Sequence, residues 1–220
     1  MAIADPRTYL NDLIQLLNTH WPENRAVNIV CHGHSVPSGY FATPMVDTFN
    51  AYPHLLHRAL KHRFPFAVIN VIVTAIGGEN SQSGAQRFAD QVLCHRPDVV
   101  AIDYGLNDRG IGLDAARGFW TTMIEQTQQT SARLILLTPT ADATQRPSVP
   151  SEEQQLLQDH ARQIRQLAAD YGIGLADSLA AFQSYAQTGD LGDLLSWSNH
   201  PNRQGHELVA RELLRWFPIG

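Results

Sequence analysis

The chain has 220 residues, of which 44% are hydrophobic and 17% charged, a profile that fits a globular protein with one core and one domain, residues 1–220. A net charge of −5 and a pI near 6.0 argue against a nucleic-acid groove, and no apolar run is long enough to span a membrane. The N-terminus lacks the basic segment and apolar stretch of a signal peptide, which favours the cytoplasm, and Cys31 and Cys94 read as reduced and buried.

In chain order, Leu10, Leu13, Ile14, Leu16 and Leu17 have helical spacing and predict a helix within 7–20. The run Val27-Asn28-Ile29-Val30 predicts a first strand over 27–32, which feeds a turn, Gly33-His34-Ser35. A connection over 36–52 ends at Pro53, suited to a first helical turn, and a helix follows over 54–63. That helix carries Lys61, the only lysine, which removes a Walker-type phosphate loop and argues against a Ser–Lys dyad or a Schiff-base lysine.

Residues 66–73 form a near-continuous apolar run, as expected of a parallel strand covered on both faces. Ala85, Phe88, Ala89, Val92 and Leu93 then predict one amphipathic helix. A third strand over 97–103 opens into Tyr104-Gly105-Leu106-Asn107-Asp108, and a helix over 112–130 precedes a fourth strand, 133–137. After a polar loop, 138–150, Ser151-Glu152-Glu153-Gln154 reads as a capping box, and its helix keeps an apolar stripe to Tyr171. A fifth strand over 172–176, a short helix near 178–186, a loop over 187–199 and a last helix to about Trp216 complete the chain.

Strand and helix alternate five times without a linker or repeat. Right-handed crossovers then give an α/β fold, a three-layer α/β/α sandwich of flavodoxin-like type with a five-stranded parallel sheet. Ser35, the Gly77/Gly78 pair, Asn107 and His200 lie past strands one, two, three and five. Open α/β sheets bind ligands at that rim.

Singly, each residue has a plain structural explanation. A serine between glycines suits a turn, paired glycines suit a tight backbone, and Asn107-Asp108 suits a helix cap. Together and in order, they resemble the blocks of the SGNH (GDSL-type) esterases and lipases. Gly33-His34-Ser35-Val36-Pro37-Ser38-Gly39-Tyr40 is similar to the first block, Gly78 to the glycine of the second, and Gly105-Leu106-Asn107-Asp108 to the third. Asn199-His200-Pro201-Asn202 resembles the last, in which histidine opens the final helix.

The resemblance implies a serine esterase that needs neither cofactor nor metal, with a small-molecule ester as its substrate. Small acyl groups are expected, acetyl above all, with an O-acetylated carbohydrate as one candidate. It implies Ser35 as nucleophile, His200 as base, and an oxyanion hole made by the Ser35 N–H, the Gly78 N–H and the Asn107 amide. The chemistry agrees, because acyl transfer needs an activated hydroxyl, a base in reach and donors aimed at the developing oxyanion.

Two positions depart from the family pattern. His34 stands where an aspartate usually precedes the serine, and Trp197 stands where the acid usually lies three residues before the histidine. Asp193 is the nearest acidic replacement, with Asp190 behind it. A backbone carbonyl within 196–198 is the other expected partner of the His200 ring, giving a dyad. A non-catalytic binding domain is the alternative from another class.

Other readings are weaker. His54 and His57 have helical spacing but no zinc motif around them. Gly77-Gly78 lacks the dinucleotide fingerprint, and proline at position 37 breaks the GxSxG elbow. Asp103 and Arg109 are expected in ion pairs or in solvent. The loops 36–53, 138–150 and 187–199 are expected to set specificity.

Overall fold

The computed structural model describes residues 2–146 and 151–219. The chain runs α1 (Asn11–Leu17), β1 (Ala26–Gly33), α2 (Ser35–Ser38), α3 (Tyr52–Arg63), β2 (Val68–Val73), α4 (Ser81–Gln86) and α5 (Phe88–Gln91). It continues β3 (Val99–Asp103), α6 (Leu113–Gln128), β4 (Arg133–Leu137), α7 (Glu152–Tyr171), β5 (Gly174–Ala176), α8 (Ser178–Tyr185) and α9 (Arg203–Leu214). The strands pair in parallel in the order β2-β1-β3-β4-β5, the expected flavodoxin-like sheet.

Side chains alternate across a strand, so the inner strands feed two cores. Val27, Ile29, Val99, Ala101, Ile135 and Leu137 pack with α1, α3, α8 and α9 on one face. Val30, Val100, Ile102, Leu134 and Leu136 pack with α5, α6 and α7 on the other. With both faces covered, these strands are apolar at most positions.

Four details differ from the sequence expectations. β2 is an edge strand: Val68 is exposed and Val71 to Val73 are only partly covered. The helix expected through Leu93 breaks at Arg87, whose guanidinium bonds Glu79 and the Thr74 carbonyl. The buried stripe, Phe88 and Val92, survives the break. β5 starts late because Gly172, at φ +62°, ends α7 with N–H bonds from Gly172 and Ile173 back to Ala169 and Ala168. Cys31 is buried as expected, whereas Cys94 is exposed; both are free thiols.

The predicted cap is present: the Ser151 hydroxyl accepts from the Gln154 N–H at 3.1 Å. Of the polar loop over 138–150, residues 147–150 lie outside the described residues. No helix among the described residues is long and apolar enough to cross a membrane.

Candidate active site

The Ser35 turn begins where β1 and β3 touch. A Cβ on Gly33 would lie 2.4 Å from the Asp103 carbonyl oxygen, so only glycine allows the two strand ends to approach. Ser35 opens the single turn of α2, and its carbonyl accepts the Tyr40 N–H at 3.0 Å. The serine is 6% exposed, enough to be reached from the rim.

Past β2, Gly78 adopts φ +82° with nothing within 4 Å of where a Cβ would stand. Backbone conformation therefore demands glycine there, not crowding. Past β3, one N–H of the Asn107 amide donates to the Glu79 carbonyl at 2.8 Å, which leaves the other for a ligand. Glu79 is held in turn by Arg87 Nε at 2.9 Å. Asp108 is fully buried and accepts from the Ser81 N–H at 2.7 Å and the Trp120 indole N–H at 2.6 Å. Burial pushes the pKa of Asp108 up, and these two donors oppose the shift. The aspartate of the third block thus ties the Asn107 loop to the start of α4.

His200 comes from the far side of the sheet. Its Nε2 accepts from the Ser35 hydroxyl at 2.9 Å, and its Nδ1 donates to the Phe41 carbonyl at 3.1 Å. A carbonyl only accepts, so Nδ1 carries the proton and Nε2 is free to act as acceptor. The ring is 5% exposed. Burial holds its pKa below the ordinary value of 6.5, the charge on a protonated His34 lowers it further, and the Phe41 carbonyl opposes both. The loop is pinned by backbone: Ser196 N–H to the His200 carbonyl at 3.0 Å, and Asn202 N–H to the Leu194 carbonyl at 2.8 Å. The Asn202 side chain caps α9 by accepting from the Gly205 N–H at 3.1 Å.

The expected acid is corrected here. The Asp193 carboxylate is exposed and its partner is the Tyr185 hydroxyl at 3.4 Å, while only its backbone carbonyl serves the loop, accepting from Asn202 Nδ2 at 2.7 Å. Asp190 pairs with Arg146 at 3.0 Å and caps the Gly192 N–H. Trp197 is 59% exposed. The 3₁₀ turn over 191–194 points both carboxylates outward, so neither supports the imidazole. The backbone carbonyl that does so belongs to Phe41 in the 36–53 connection, not to 196–198. No residue type marks such an atom, which is why sequence reasoning missed it.

Near His200, Arg109, Gly110, Asp142, Thr144, Glu153 and Ser198 line a cavity of about 530 Å³. Arg109 pairs with buried Asp142 at 2.7 Å along its wall. Ser198 and Asn199 lead directly into His200, so the cavity borders the rim that carries Ser35 and His200. Elsewhere, His57 Nε2 bonds the Ile69 carbonyl at 2.9 Å, the hydrogen-bonded role expected for a helix histidine.

The GDSL-like lipase/acylhydrolase family matches residues 31–208 of this chain. An acetylxylan esterase of Geobacillus stearothermophilus is 24% identical over 169 residues, 69% of this chain and 74% of that protein. The crystal structure of Axe2, an acetylxylan esterase from the same organism, superposes with a TM-score of 0.76 at 22% identity, covering 88% of this chain and 95% of that one. LAE5, an alpha/beta hydrolase enzyme from the metagenome of Lake Arreo, gives 0.70 at 23% identity over 87% and 94% of the two chains. Structures of Axe2 described as catalytic mutants replace a serine, a histidine, and an aspartate three positions before that histidine. The match spans most of the sequence and includes every block identified above: the chain belongs to the GDSL-like lipase/acylhydrolase family and is a serine carboxylic ester hydrolase.

Proposed function

We propose that this hydrolase cleaves acetyl and similarly small acyl esters of carbohydrates by a Ser35–His200 dyad. The observation that carries this reading is the 2.9 Å hydrogen bond from Ser35 Oγ to an Nε2 whose acceptor state is fixed from behind. His200 takes the hydroxyl proton as Oγ attacks the acyl carbon. Negative charge on the carbonyl oxygen is received by the Ser35 N–H, the Gly78 N–H and the free Asn107 N–H. Collapse expels the alcohol, which recovers the proton from Nε2. Water then attacks the acyl carbon, giving up a proton to His200, and collapse releases the acid as Nε2 returns that proton to Ser35 Oγ. Lowered basicity suits the task, because a ring that stays neutral at neutral pH is ready to accept a proton.

The sugar reading rests on the Axe2 likeness and on the cavity beside the dyad. Its wall offers guanidinium and amide donors and carboxylate acceptors, the inventory that hydroxyl groups of a sugar require. The test is hydrolysis of p-nitrophenyl acetate and of an acetylated xylo-oligosaccharide by the wild type and by Ser35→Ala. Both rates are expected to fall to background in the variant. Equal rates in the two proteins would refute the nucleophile, and turnover of the phenyl ester alone would refute the sugar.

A further inference from the structure

Ser35 has an imidazole on each side. His34 Nδ1 lies 3.3 Å from Ser35 Oγ and 3.3 Å from the Val36 nitrogen, whose N–H it accepts. Its Nε2 lies 3.4 Å from Asp103 Oδ1. His34 and Asp103 are each 1% exposed, and among the described residues neither Nε2 nor Oδ1, nor the Tyr52 hydroxyl beside Asp103, meets hydrogen-bond geometry with a partner. A buried polar atom without a partner is costly, which favours a small shift that closes the 3.4 Å gap between His34 Nε2 and Asp103 Oδ1.

The tautomer follows from the donors. Since Nδ1 accepts the Val36 N–H, the ring proton sits on Nε2 and faces the carboxylate. We propose that Asp103 and His34 form a positioning pair for the nucleophile: Asp103 holds the ring with its proton on Nε2, and the Val36-occupied Nδ1 leaves His200 Nε2 as the one open acceptor for the Ser35 hydroxyl. The inference rests on the dyad proposed above and adds a carboxylate to it.

The arrangement has a consequence in acid. A second proton on His34 must go to Nδ1. It displaces the Val36 N–H and donates to Ser35 Oγ, engaging the lone pair that attacks, and it places positive charge beside His200. The titratable groups around the pair are Cys31 on β1, Tyr52 on α3, Tyr104 and Asp108 after β3, and His200. Burial together with Asp103 pushes the Cys31 thiol up to about 12. Tyr52 and Tyr104 are raised, chiefly by burial. They stay neutral where the enzyme works. His200 itself faces Tyr40 and buried His206, the latter kept neutral by burial with a pKa of about 3. Protonation of either ring would then oppose the attack.

The test is the pH dependence of kcat/KM in the wild type, His34→Gln and Asp103→Asn. The wild type is expected to lose activity in acid with the steepness of two protons, and His34→Gln with that of one. Asp103→Asn, whose amide can donate to Nε2 and drive the proton onto Nδ1, is expected to lower kcat roughly tenfold or more with KM held within about twofold. A one-proton limb in the wild type that His34→Gln leaves unaltered, or full turnover in Asp103→Asn, would overturn the proposal. If Asp103→Asn does not fold, the ¹⁵N shifts of the His34 ring in the wild type decide. Protonated Nε2 with bare Nδ1 is expected, and the reverse tautomer contradicts it. Turnover retained in Ser35→Ala or His200→Ala would remove the dyad beneath the proposal, whereas the ring shifts report on His34 independently.

Discussion

The two halves of the active site are supported by different kinds of atom. On the oxyanion side, side chains do the holding: Asp108 grips Ser81 and Trp120, Asn107 grips Glu79, and Arg87 grips Glu79 from behind. On the histidine side, backbone does most of it: the Phe41 carbonyl orients the ring, and the Ser196 and Asn202 N–H groups close the loop, with the Asn202 side chain tying Asp193 to the start of α9. The first half is fixed by residue identity. The second is fixed more by chain path, so apart from Asn202 residue types there can drift while the geometry persists.

The contrast predicts where mutation bites. Asn107→Ala removes an oxyanion donor and its tether to Glu79 at once, so kcat should fall about 10²–10³-fold while the fold is kept. A single-turnover assay on p-nitrophenyl acetate measures this, and a loss under fivefold would break the assignment of Asn107 to the oxyanion. Asp108→Ala strands two buried donors, each costing about 1–3 kcal/mol when unsatisfied. Its expected signature is a lowered Tm in thermal melts, with activity lost through instability. An unchanged Tm would show that the oxyanion side is not held by this side chain.

The same contrast explains what the sequence made legible. The strands were legible from their apolar residues, though the 66–73 run that suggested cover on both faces is the edge strand β2, and the third block was readable because Asn107 and Asp108 each need a specific functional group. Gly78 was readable because φ +82° excludes other residues. The partner of His200 was not readable, because a carbonyl oxygen is common to all residues and Phe41 is 159 positions away. Asp193 attracted attention as the nearest carboxylate in sequence, yet its local turn sends it to Tyr185. The break at Arg87 was hidden for a similar reason: the helical stripe is intact, and only the reach of a long side chain to Glu79 interrupts the backbone.

A smaller effect belongs to the scaffold. Burial lowers the pKa of His32 and His160 to about 4 and of His206 to about 3, all below the ordinary 6.5. The unfolded chain therefore takes up protons below pH 6.5 that the folded chain refuses. Stability is full above that value and is lost as pH falls through the window down to the folded pKa values. Each ring accounts for a loss on the order of a few kcal/mol when its folded pKa is reached, enough together to lower Tm by about ten degrees or more. Melts of the wild type between pH 7.5 and pH 4 should show this decline, and His206→Gln should flatten it. A Tm that holds level across the window would show that these rings are not buried neutral.

The smallest expected effect is the most telling, because it separates a carbonyl-supported histidine from a carboxylate-supported one. The measurement is kcat for p-nitrophenyl acetate in the double variant Asp190→Asn, Asp193→Asn. With the Phe41 carbonyl as the partner of Nδ1, turnover should stay within about twofold of wild type, since both carboxylates serve only exposed contacts. Loss of a serine hydrolase acid costs roughly 10⁴-fold, so a fall of even about a hundredfold would place a carboxylate behind His200 and contradict the dyad.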